Sequence, residues 1–385
     1  MTSPLPELIN HVVTGSPVYD LVLDGTKVGW WQDRVEAWKR GEKIAPVTMD
    51  VAWTRKCQAS CSFCFAQMQA SDGGEITKEI AFNFLDDAAE IGVKGISLIS
   101  DGESTMVPWY ADSIEYAAKR GIKIGVGSNG IALTRDVLER ILPHISYLRF
   151  NFSAGERRRY AEIMGVKQTF YDRVLQNIRD AMEIIRRDKL SVSCNMQLVC
   201  QPQDADQLLP FAQLAQSVRP TYAIIKHCAD DRDHFLGVDY TKYVDLEETF
   251  RQCEALSDDE FRVVVKWSRI ADEGKRHYSR CWGPPFLLQM SGNGLISTCG
   301  FHFNSKYRKF HMGWIAGPEA KRFRDIFHSD RYWEVIDYVG SPAFNPQQRC
   351  GSNCLQTNTN QFLFDYMNGN VELPVGNAPP DLEFL

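Results

Sequence analysis

Short apolar, β-branched runs alternate with helical patterns from Val47 onward, and this alternation restricts the folds open to the chain. The six runs lie at 47–54, 95–100, 121–127, 146–152, 190–199 and 221–227, and helical patterns occur near 76–91, 108–120, 134–143, 167–187 and 204–217. Strands that alternate with helices form βαβ units and a parallel sheet. We therefore predict an α/β fold, for which six repeats fit either a partial (βα)6 barrel or a doubly wound parallel sheet.

Two of the predicted strands carry one polar face. Polar side chains recur at every second position of the fourth and fifth runs: Arg149, Asn151, Ser153, Ser191, Ser193, Asn195 and Gln197. A parallel strand that is buried on both faces is normally apolar throughout. The polar faces therefore indicate a solvated lumen that binds a ligand, and satisfied polar groups within the core are the alternative.

The alternation ends near residue 240, where the character of the sequence changes. Residues 47–240 are expected to form the α/β domain, preceded by an N-terminal extension at 1–46 without clear periodicity. The charged stretch 241–274 is predicted to be a helical linker. A smaller domain with Gly- and Asn-rich turns is expected at 275–375, and the residues 376–385 (GNAPPDLEFL) are expected to be a tail.

Charge and hydropathy exclude several classes of protein. With 43 Lys and Arg against 49 Asp and Glu, the chain has a formal net charge of −6 and no overall positive field for nucleic acid or anionic membranes. No apolar run approaches the roughly 18 residues that span a bilayer, and the first residues (MTSPLPELINHVV) lack the pattern of a secretory signal. We therefore expect a cytoplasmic protein whose 11 cysteines are thiolate ligands or buried thiols rather than disulfides.

Three cysteines follow the first predicted strand with C-x3-C-x2-C spacing. They are Cys57, Cys61 and Cys64, and the aromatic residue Phe63 precedes the third. Three thiolates on one loop can ligate three irons of a cubane cluster, which leaves the fourth iron open to a chelating small molecule. Zinc ribbons instead use paired C-x2-C hooks that supply four ligands. The spacing thus favours an iron–sulfur cluster over three unligated cysteines.

This loop resembles the C-x3-C-x-aromatic-C loop of the radical SAM superfamily, and the resemblance covers about residues 47–230. It implies a partial (βα)6 barrel in which the three cysteines hold a [4Fe–4S] cluster that binds S-adenosylmethionine (SAM). Short motifs after later strands are similar to the family's SAM-binding motifs: Ser100-Asp101-Gly102-Glu103 to its Gly-Glu motif, and Ser128-Asn129-Gly130 to its Thr-Asn-Gly turn. The resemblance implies SAM contacts from Phe63, Gly102, Glu103, Ser128, Asn129, Asn151 and Ser153, with the Glu103 carboxylate on the methionine amino group.

Four further cysteines follow the predicted barrel. Twelve residues separate Cys281 from Gly294-Leu-Ile-Ser-Thr-Cys299, and Cys350-Gly-Ser-Asn-Cys354 comes later. This pattern resembles the SPASM extension, or its shorter Twitch form, which carries auxiliary [4Fe–4S] clusters. Because a full SPASM domain needs seven cysteines, the resemblance implies one auxiliary cluster on these four. A zinc site with four cysteines is the alternative.

Two residues at the end of the sixth run are candidates for contact with substrate. Lys226 is expected to face the lumen, and the thiol of Cys228 is a candidate hydrogen-atom donor, because residues at strand ends line the active sites of barrels. The alternatives are a lysine that extends to the rim and a buried cysteine.

The resemblance also implies the chemistry. An external one-electron reductant of the flavodoxin or ferredoxin type reduces the cluster, SAM is cleaved to methionine and a 5′-deoxyadenosyl radical, and this radical abstracts a hydrogen atom from a substrate. A narrower resemblance, carried by DVAWTRKCQASCSFCFAQM, ISLISDGEST and YAEIMGVKQ, is to phage-encoded radical SAM isomerases of thymidine hypermodification. It implies the rearrangement of a glycine-modified thymidine base during DNA modification, in the cytoplasm of the host.

Other functions stay open at this point. Peptide maturation and aminosugar dehydrogenation or epimerisation are alternative radical SAM activities, with a small molecule or a nucleoside as the expected substrate class. The alternative that is not an enzyme is a scaffold that binds metal and catalyses no reaction. A scaffold has no need for SAM contacts, so the positions Gly102, Glu103, Asn151 and Ser153 distinguish the two classes.

Overall fold

The computed structural model describes residues 25–68, 74–267, 275–351 and 354–385. Within these ranges ten strands form one sheet, with the order β10-β9-β8-β1-β2-β3-β4-β5-β6-β7. The strands are β1 Thr48–Val51, β2 Gly95–Leu98, β3 Lys123–Ser128, β4 Tyr147–Asn151, β5 Ser193–Cys200, β6 Tyr222–His227, β7 Arg262–Val265, β8 Leu287–Met290, β9 Leu295–Ser297 and β10 His311–Trp314. The α/β fold predicted from the sequence is confirmed.

Strands β1 to β7 are parallel and follow one another in chain order across the sheet. Sequential order is that of a (βα) barrel, whereas a doubly wound sheet reverses its order at a switch point. The topology therefore agrees with the partial barrel. Strand β8 adds to the other edge of β1 in parallel, and β9 and β10 continue from it as antiparallel strands.

Twelve α-helices occur in the described ranges. They are α1 Gln32–Lys39, α2 Lys78–Ile91, α3 Tyr110–Lys119, α4 Arg135–Ile141, α5 Arg157–Met164, α6 Thr169–Asp188, α7 Leu208–Val218, α8 Glu247–Glu254, α9 Phe323–Phe327, α10 Asp330–Gly340, α11 Pro346–Arg349 and α12 Thr357–Met367. Local sequence sets their ends, as α2 shows. The Thr77 side chain accepts a hydrogen bond from the Ile80 amide at its start, and Gly92 ends it with a left-handed φ of 103°.

The stretch 241–274 differs from the expected helical linker. It contains α8 but also β7, and residues 268–274 lie outside the described ranges. The β-branched sequence Arg262-Val-Val-Val265 pairs with β6 in register from Tyr222↔Arg262 onward. The open edge of β6 supplies partners for this run, so strand pairing outweighs the charged, helix-like pattern around it.

The two faces of the barrel strands differ as their alternation predicted. Leu148 and Phe150 of β4 are fully buried in the main apolar core that packs against the helices. Tyr147 and Arg149 extend from the opposite face, towards β3. Two glycines on β3 make room for them: a β-carbon at Gly125 would lie 2.1 Å from the Tyr147 ring, and one at Gly127 would lie 2.9 Å from the Arg149 guanidinium.

The expected tail packs against the amino-terminal ends of the barrel strands. The Thr48 hydroxyl at the start of β1 donates to the Glu383 carbonyl at 2.6 Å. The Phe384 ring contacts the Tyr147 ring edge to face, with centroids 5.0 Å apart. These contacts close the end of the barrel that lies away from the cysteine loop.

Candidate active site

The cysteine loop follows β1 and is held by the end of α5. The backbone amides of Ser60 and Ser62 donate to the carbonyls of Met164 and Ile163, at 3.1 and 2.9 Å. These carbonyls lie in the last turn of α5, where the helix leaves acceptors unsatisfied. Gly165 permits the close approach, since a β-carbon there would lie 2.3 Å from the Ser60 carbonyl oxygen. The loop is therefore fixed over the carboxyl ends of the strands.

A cavity of about 610 Å³ opens beside this loop. Its size lies within the usual range for small-molecule sites. Ten of the candidate site residues line it: Cys57, Cys61, Phe63, Cys64, Gly102, Glu103, Asn129, Asn151, Lys226 and Cys354. Ser128, Ser153 and Cys228 are buried and do not line it.

The carboxylate of Glu103 is buried and held by neutral donors. It accepts hydrogen bonds from the Ser128 hydroxyl at 2.9 Å, the Asn129 backbone amide at 2.8 Å and the Thr105 hydroxyl at 2.7 Å. Burial raises the pKa of Glu103, and these hydrogen bonds act in the opposite direction. No Lys or Arg of the described ranges forms an ion pair with it. A buried carboxylate that has only neutral hydrogen-bond donors would be stabilised further by an ammonium group.

The turn after β3 supports Glu103 and also reaches the cysteine loop. Ser128 donates to Glu103 and accepts from the Gly130 amide at 2.9 Å, so its hydroxyl orients the carboxylate within the protein. The side-chain nitrogen Nδ2 of Asn129 lies 3.7 Å from the Cys57 sulfur. The two short motifs singled out from the sequence are thus one hydrogen-bonded unit.

The polar residues on β4 have different surroundings. Asn151 lines the cavity and accepts a hydrogen bond from the Gln197 side chain of β5 at 2.8 Å. The Ser153 hydroxyl accepts from the Val199 backbone amide at 3.2 Å and is buried. Asn151 and Gln197 therefore present amide groups to the cavity, whereas Ser153 joins two strands.

Gly102 is required by packing between loops. Its φ is +89°, and a β-carbon would lie 2.0 Å from the Thr54 carbonyl oxygen. The neighbouring Asp101 is fully buried and points away, accepting from the Ser291 hydroxyl at 2.7 Å and the Gly292 amide at 2.8 Å. Asp101 thereby fixes the β8–β9 turn to the barrel.

Three cationic residues of the cavity, Arg55, Arg149 and Lys266, received no role from the sequence. Arg149 was placed on a polar strand face only, and its Nε is buried without a hydrogen-bond partner in the described part of the chain. Lys266 follows β7, in the stretch that was expected to be helical, so its position on the cavity wall was hidden. The alternation of polar residues was the signal for Arg149, and the Val-rich run was the signal for Lys266.

The cysteines of the C-terminal part converge on a second, smaller cavity. Cys281, Cys299, Cys350 and Cys354 all line it. Burial raises the pKa of Cys281, Cys299 and Cys350, and the neighbouring thiols add to the rise. Four half-buried thiols that converge on one cavity suit a metal centre, because its positive charge stabilises the thiolate form. Within the described ranges, no three His, Cys, Asp or Glu side chains are arranged to coordinate a single metal ion.

Cys354 is shared by the two cavities. It lines the second cavity with the other three cysteines, and together with Leu355 it also lines the cavity beside Cys57, Cys61 and Cys64. Phe65 of the first cysteine loop packs edge to face on Phe301, with ring centroids 5.7 Å apart. The two cysteine sites are therefore neighbours.

The remaining cysteines are buried. The Cys228 thiol lies 3.7 Å from the carbonyl oxygen of Phe63, behind the cysteine loop, and Cys194, Cys200 and Cys253 are buried in the main core. Cys228 thus contacts the backbone of the loop, and its sulfur is separated from the cavity that Lys226 lines.

Comparison with known proteins identifies the barrel. Residues 51–214 match the family model described as the radical SAM superfamily, so the chain contains a radical SAM domain. Proteins of this superfamily are enzymes that perform radical chemistry, and the cofactors of the domain are a [4Fe–4S] cluster and SAM.

Two curated relatives match part of the chain. One is the tungsten-containing aldehyde ferredoxin oxidoreductase cofactor-modifying protein of Pyrococcus furiosus, 30% identical over 89 residues, which are 23% of this chain and 25% of that protein. The other is the S-adenosylmethionine-dependent nucleotide dehydratase of Flammeovirga pacifica, 26% identical over 119 residues, which are 30% of this chain and 40% of that protein. The chain thus matches between a quarter and two fifths of the length of these relatives.

The fold extends the similarity beyond the barrel. Streptococcus suis SuiB bound to S-adenosylmethionine superposes with a TM-score of 0.59 over 80% of this chain and 72% of that chain, at 15% sequence identity. The α/β barrel with its C-terminal additions is therefore a fold that a SAM-bound protein also has.

Among the described helices, none has the length and apolar character to cross a bilayer.

Proposed function

We propose that the chain is a radical SAM enzyme that reductively cleaves SAM and abstracts a hydrogen atom from its substrate. The observation that carries the proposal is one cavity lined both by Cys57, Cys61 and Cys64 and by the buried Glu103 carboxylate. A scaffold that only binds metal has no use for this carboxylate. The three thiols and the acid together supply what a chelating amino acid on an iron–sulfur cluster requires.

In this proposal the three cysteines hold the cluster. A reduced [4Fe–4S] cluster supplies the electron that splits SAM into methionine and a hydrogen-abstracting 5′-deoxyadenosyl radical. The end of α5 fixes the loop, through the Ser60 and Ser62 amides, so that the thiols keep their place beside the cavity. The chain's own task is to bind, orient and shield the reacting groups.

The polar residues of the cavity divide the binding of SAM among them. Glu103 accepts the ammonium group, and the Arg149 guanidinium, whose Nε has no hydrogen-bond partner within the described chain, pairs with the carboxylate. Asn151 and Gln197 present amides to the ribose hydroxyls, and Phe63 borders the adenine. Each assignment matches an ionic or polar group of SAM with one side chain of opposite or complementary character.

The second cysteine set holds one auxiliary [4Fe–4S] cluster in this proposal, and a zinc ion is the alternative occupant. Its support is the convergence of Cys281, Cys299, Cys350 and Cys354 on one cavity, and the presence of Cys354 on the walls of both cavities. An auxiliary cluster at this place would border the substrate, where it can take up an electron or help to position the substrate.

Release of 5′-deoxyadenosine tests the proposed activity. The full chain is reconstituted with iron and sulfide without oxygen, and SAM and dithionite are added. Wild-type protein is expected to release 5′-deoxyadenosine and methionine, and Cys61→Ala is expected to release neither. Cys194→Ala is the matched control, because this thiol is fully buried in the apolar core. The absence of 5′-deoxyadenosine from the wild type with several reductants would favour the scaffold instead.

For the net reaction we propose the rearrangement of a glycine-modified thymidine base, an isomerase step of DNA modification in the cytoplasm. Abstraction of a glycyl Cα hydrogen suits a deoxyadenosyl radical, because the groups adjacent to the Cα atom stabilise the resulting radical. The partial match to a nucleotide dehydratase supports a nucleoside-type substrate. An external flavodoxin- or ferredoxin-type protein would be the electron donor.

Peptide maturation is the second candidate, with aminosugar dehydrogenation or epimerisation beside it. Its support is the likeness in fold to SuiB. The structure of SuiB bound to the precursor peptide SuiA superposes on this chain with a TM-score of 0.57. Incubation of the reconstituted enzyme with a glycine-modified thymidine oligonucleotide, a precursor peptide and an aminosugar separates these candidates. Liquid chromatography with tandem mass spectrometry of the three substrates would reveal an isomer or epimer by its retention time and fragments, and a cross-link or dehydrogenation by a loss of two hydrogens.

A further inference from the structure

The side chain of Asn360 connects two segments of the second cysteine set. Asn360 lies near the start of α12 and is fully buried. Its Oδ1 accepts hydrogen bonds from the backbone amides of Trp282 and Gly283, at 2.6 and 2.9 Å. Both amides directly follow Cys281, so a residue of α12 fixes the backbone next to this cysteine.

The same two amides determine the orientation of the carboxamide. A backbone N–H group only donates, so the atom that faces Trp282 and Gly283 is the oxygen, and the NH2 group faces the other way. Nδ2 donates to the Gln356 carbonyl at 3.0 Å and lies 3.9 Å from the Cys354 sulfur. An NH2 group carries two N–H donors, so with one of them on Gln356 the second is available to the sulfur.

The NH2 group of Asn360 also acts on Cys281. Burial raises the pKa of Cys281 and the neighbouring thiols add to the rise, whereas a hydrogen bond from the Asn360 side chain acts to lower it. A donor that lowers the pKa of a thiol stabilises the thiolate, which is the form that ligates a metal. Asn360 is therefore a hydrogen-bond donor towards two of the four cysteines.

Hydrogen bonds to sulfur are among the features that set the reduction potential of an iron–sulfur cluster. Reduction by one electron increases the negative charge on the cluster and its thiolates. An N–H donor beside the sulfur stabilises this added charge, because its effect is large in a buried site with weak dielectric screening. A donor at Asn360 is thus expected to favour the reduced form.

We propose that Asn360 is a positioning residue of the auxiliary centre, whose N–H donor towards Cys281 and Cys354 raises the reduction potential of the cluster. The inference rests on the proposed function, which places a [4Fe–4S] cluster on this cysteine set. It deepens that function by naming the residue that regulates the uptake of an electron there. The bonds from Oδ1 to the two backbone amides hold the donor in place, so one carboxamide both positions and tunes the centre.

The experiment uses the full chain with iron held by the second cysteine set alone. Cys57, Cys61 and Cys64 are all replaced by Ala, which removes the SAM-binding cluster and the contact of Asn129 with Cys57. This background chain is reconstituted with iron and sulfide without oxygen and titrated with dithionite. Electron paramagnetic resonance (EPR) of the reduced cluster gives its reduction potential.

Asn360→Asp in this background isolates the donor. It keeps an oxygen for the two backbone amides and replaces the NH2 group by a second oxygen. The equilibrium constant for one-electron reduction is expected to fall at least tenfold, which lowers the potential by about 59 mV or more. Asn368→Asp is the matched control: Asn368 is exposed, lies about two helical turns further along the chain, and should leave the potential unchanged.

An isotope label separates a hydrogen bond from the effect of added charge. Asparagine with 15N in its side-chain amide is incorporated into the background chain, and pulsed EPR of the reduced cluster measures the coupling to 15N. A coupling is expected in the chain that keeps Asn360 and in Asn368→Asp, and it should vanish in Asn360→Asp. Because the label is in the amide, the coupling cannot come from Tyr278, whose hydroxyl also interacts with Cys354.

Two results would each overturn the inference: an unchanged potential in Asn360→Asp, or no 15N coupling in the chain that keeps Asn360. If Asn360→Asp assembles no cluster, the coupling alone decides. A second cysteine set that takes up only zinc would overturn the inference together with the auxiliary cluster of the proposed function. Release of 5′-deoxyadenosine by the wild type reports on SAM cleavage separately, so either proposal can fail alone.

Discussion

The side chain of Gln289 donates a hydrogen bond from Nε2 to the carboxylate of Asp50 at 2.8 Å, and this bond joins β8 to the lumen face of β1. Burial raises the pKa of Asp50 to about 6, although the Gln289 hydrogen bond and the positive charges of Arg149 and Lys226 act to lower it. The C-terminal part of the chain thus completes the polar lumen of the barrel. Ionisation of Asp50, which lies where β8 meets β1, lowers the stability of the folded chain.

Replacement of Asp50 by Asn tests this cost. A carboxyl whose folded pKa is raised contributes stability below its unfolded pKa, near 4, and loses that contribution as the pH rises through about 6. Asp50→Asn keeps an acceptor for Gln289 but cannot ionise. Relative to the wild type, the variant is therefore expected to gain stability between pH 4 and 7, by roughly 1–3 kcal/mol at pH 7. Urea unfolding at a series of pH values measures the difference.

Asp112→Asn is the control with the opposite sign. Arg140 and Lys78 hold the pKa of Asp112 below its usual value, so its charged form favours the folded state. This variant is expected to be slightly less stable than the wild type above about pH 4, and the difference should disappear as the pH falls through the lowered pKa of Asp112. The effect is small because the group is near the surface. A similar pH dependence in both variants would contradict the explanation given for Asp50.

Replacement of Gly125 by Ala tests the packing of the lumen. The new β-carbon would lie 2.1 Å from Cε1 of the Tyr147 ring, which also donates a hydrogen bond to Ser97 at 3.0 Å. The ring must move, so we expect a loss of about 1–3 kcal/mol in the free energy of unfolding. Gly340→Ala, whose β-carbon would meet nothing closer than 3.4 Å, should leave that free energy almost unchanged.

A second substitution identifies Tyr147 as the cause. In the Tyr147→Ala background the ring is absent, and Gly125→Ala should then cost much less than it does alone. Strictly additive losses would show that the glycine serves another purpose.

Glu103→Gln removes the proposed partner of the SAM ammonium group. The loss of a charged hydrogen bond is expected to weaken SAM binding at least tenfold, which corresponds to about 1.4 kcal/mol or more. Equilibrium binding of SAM to the anaerobic, cluster-loaded chain measures the change.

Asp101→Asn separates this role from structural support. Asp101 lies two residues away, but its carboxylate accepts from Ser291 and Gly292 and pairs with Arg55 instead of facing the cavity. We expect it to lower the melting temperature while it weakens SAM binding far less than Glu103→Gln does. A reversed order of the two affinities would refute the assignment of Glu103.

Replacement of Cys299 by Ala tests the division between the two cysteine sites. The variant is expected to lose auxiliary iron and sulfide but to keep uncoupled release of 5′-deoxyadenosine, because Cys57, Cys61 and Cys64 stay intact. Iron and sulfide analysis and quantified 5′-deoxyadenosine provide the measurement, and Cys253→Ala, which removes a buried thiol outside both cysteine sites, is the control. Complete loss of release in a folded Cys299→Ala chain would show that the sites do not act separately.

Local patterns in the sequence predicted much of the barrel and its cysteine loop. The alternation of apolar runs gave β1 to β6, and the stop at Gly92 predicted the end of α2, because both depend on neighbouring residues. The pairing of β8 with β1 joins segments more than 230 residues apart, and no local pattern encodes such a partner. β7 was obscured for a related reason, since its strand state depends on the open edge of β6.

The same distinction holds for the site. Glu103 and Asn129 were predicted as separate SAM contacts, and the structure joins them by a hydrogen bond between the ends of two strands. Lys266 became visible only when β7 placed it beside Lys226. Residue identities and spacing predicted which groups carry the chemistry, whereas their mutual contacts depend on strand register.

Mössbauer spectroscopy of the chain loaded with 57Fe tests most directly whether the N-terminal cluster has an iron without a protein ligand. Spectra of oxygen-free protein are compared before and after SAM is added. We predict cubane [4Fe–4S] signals in which SAM changes the isomer shift of one iron, in the wild type and in Cys299→Ala, and no SAM-dependent change in Cys61→Ala. Metal analysis that finds only zinc, or iron signals that SAM leaves unchanged, would contradict the proposal.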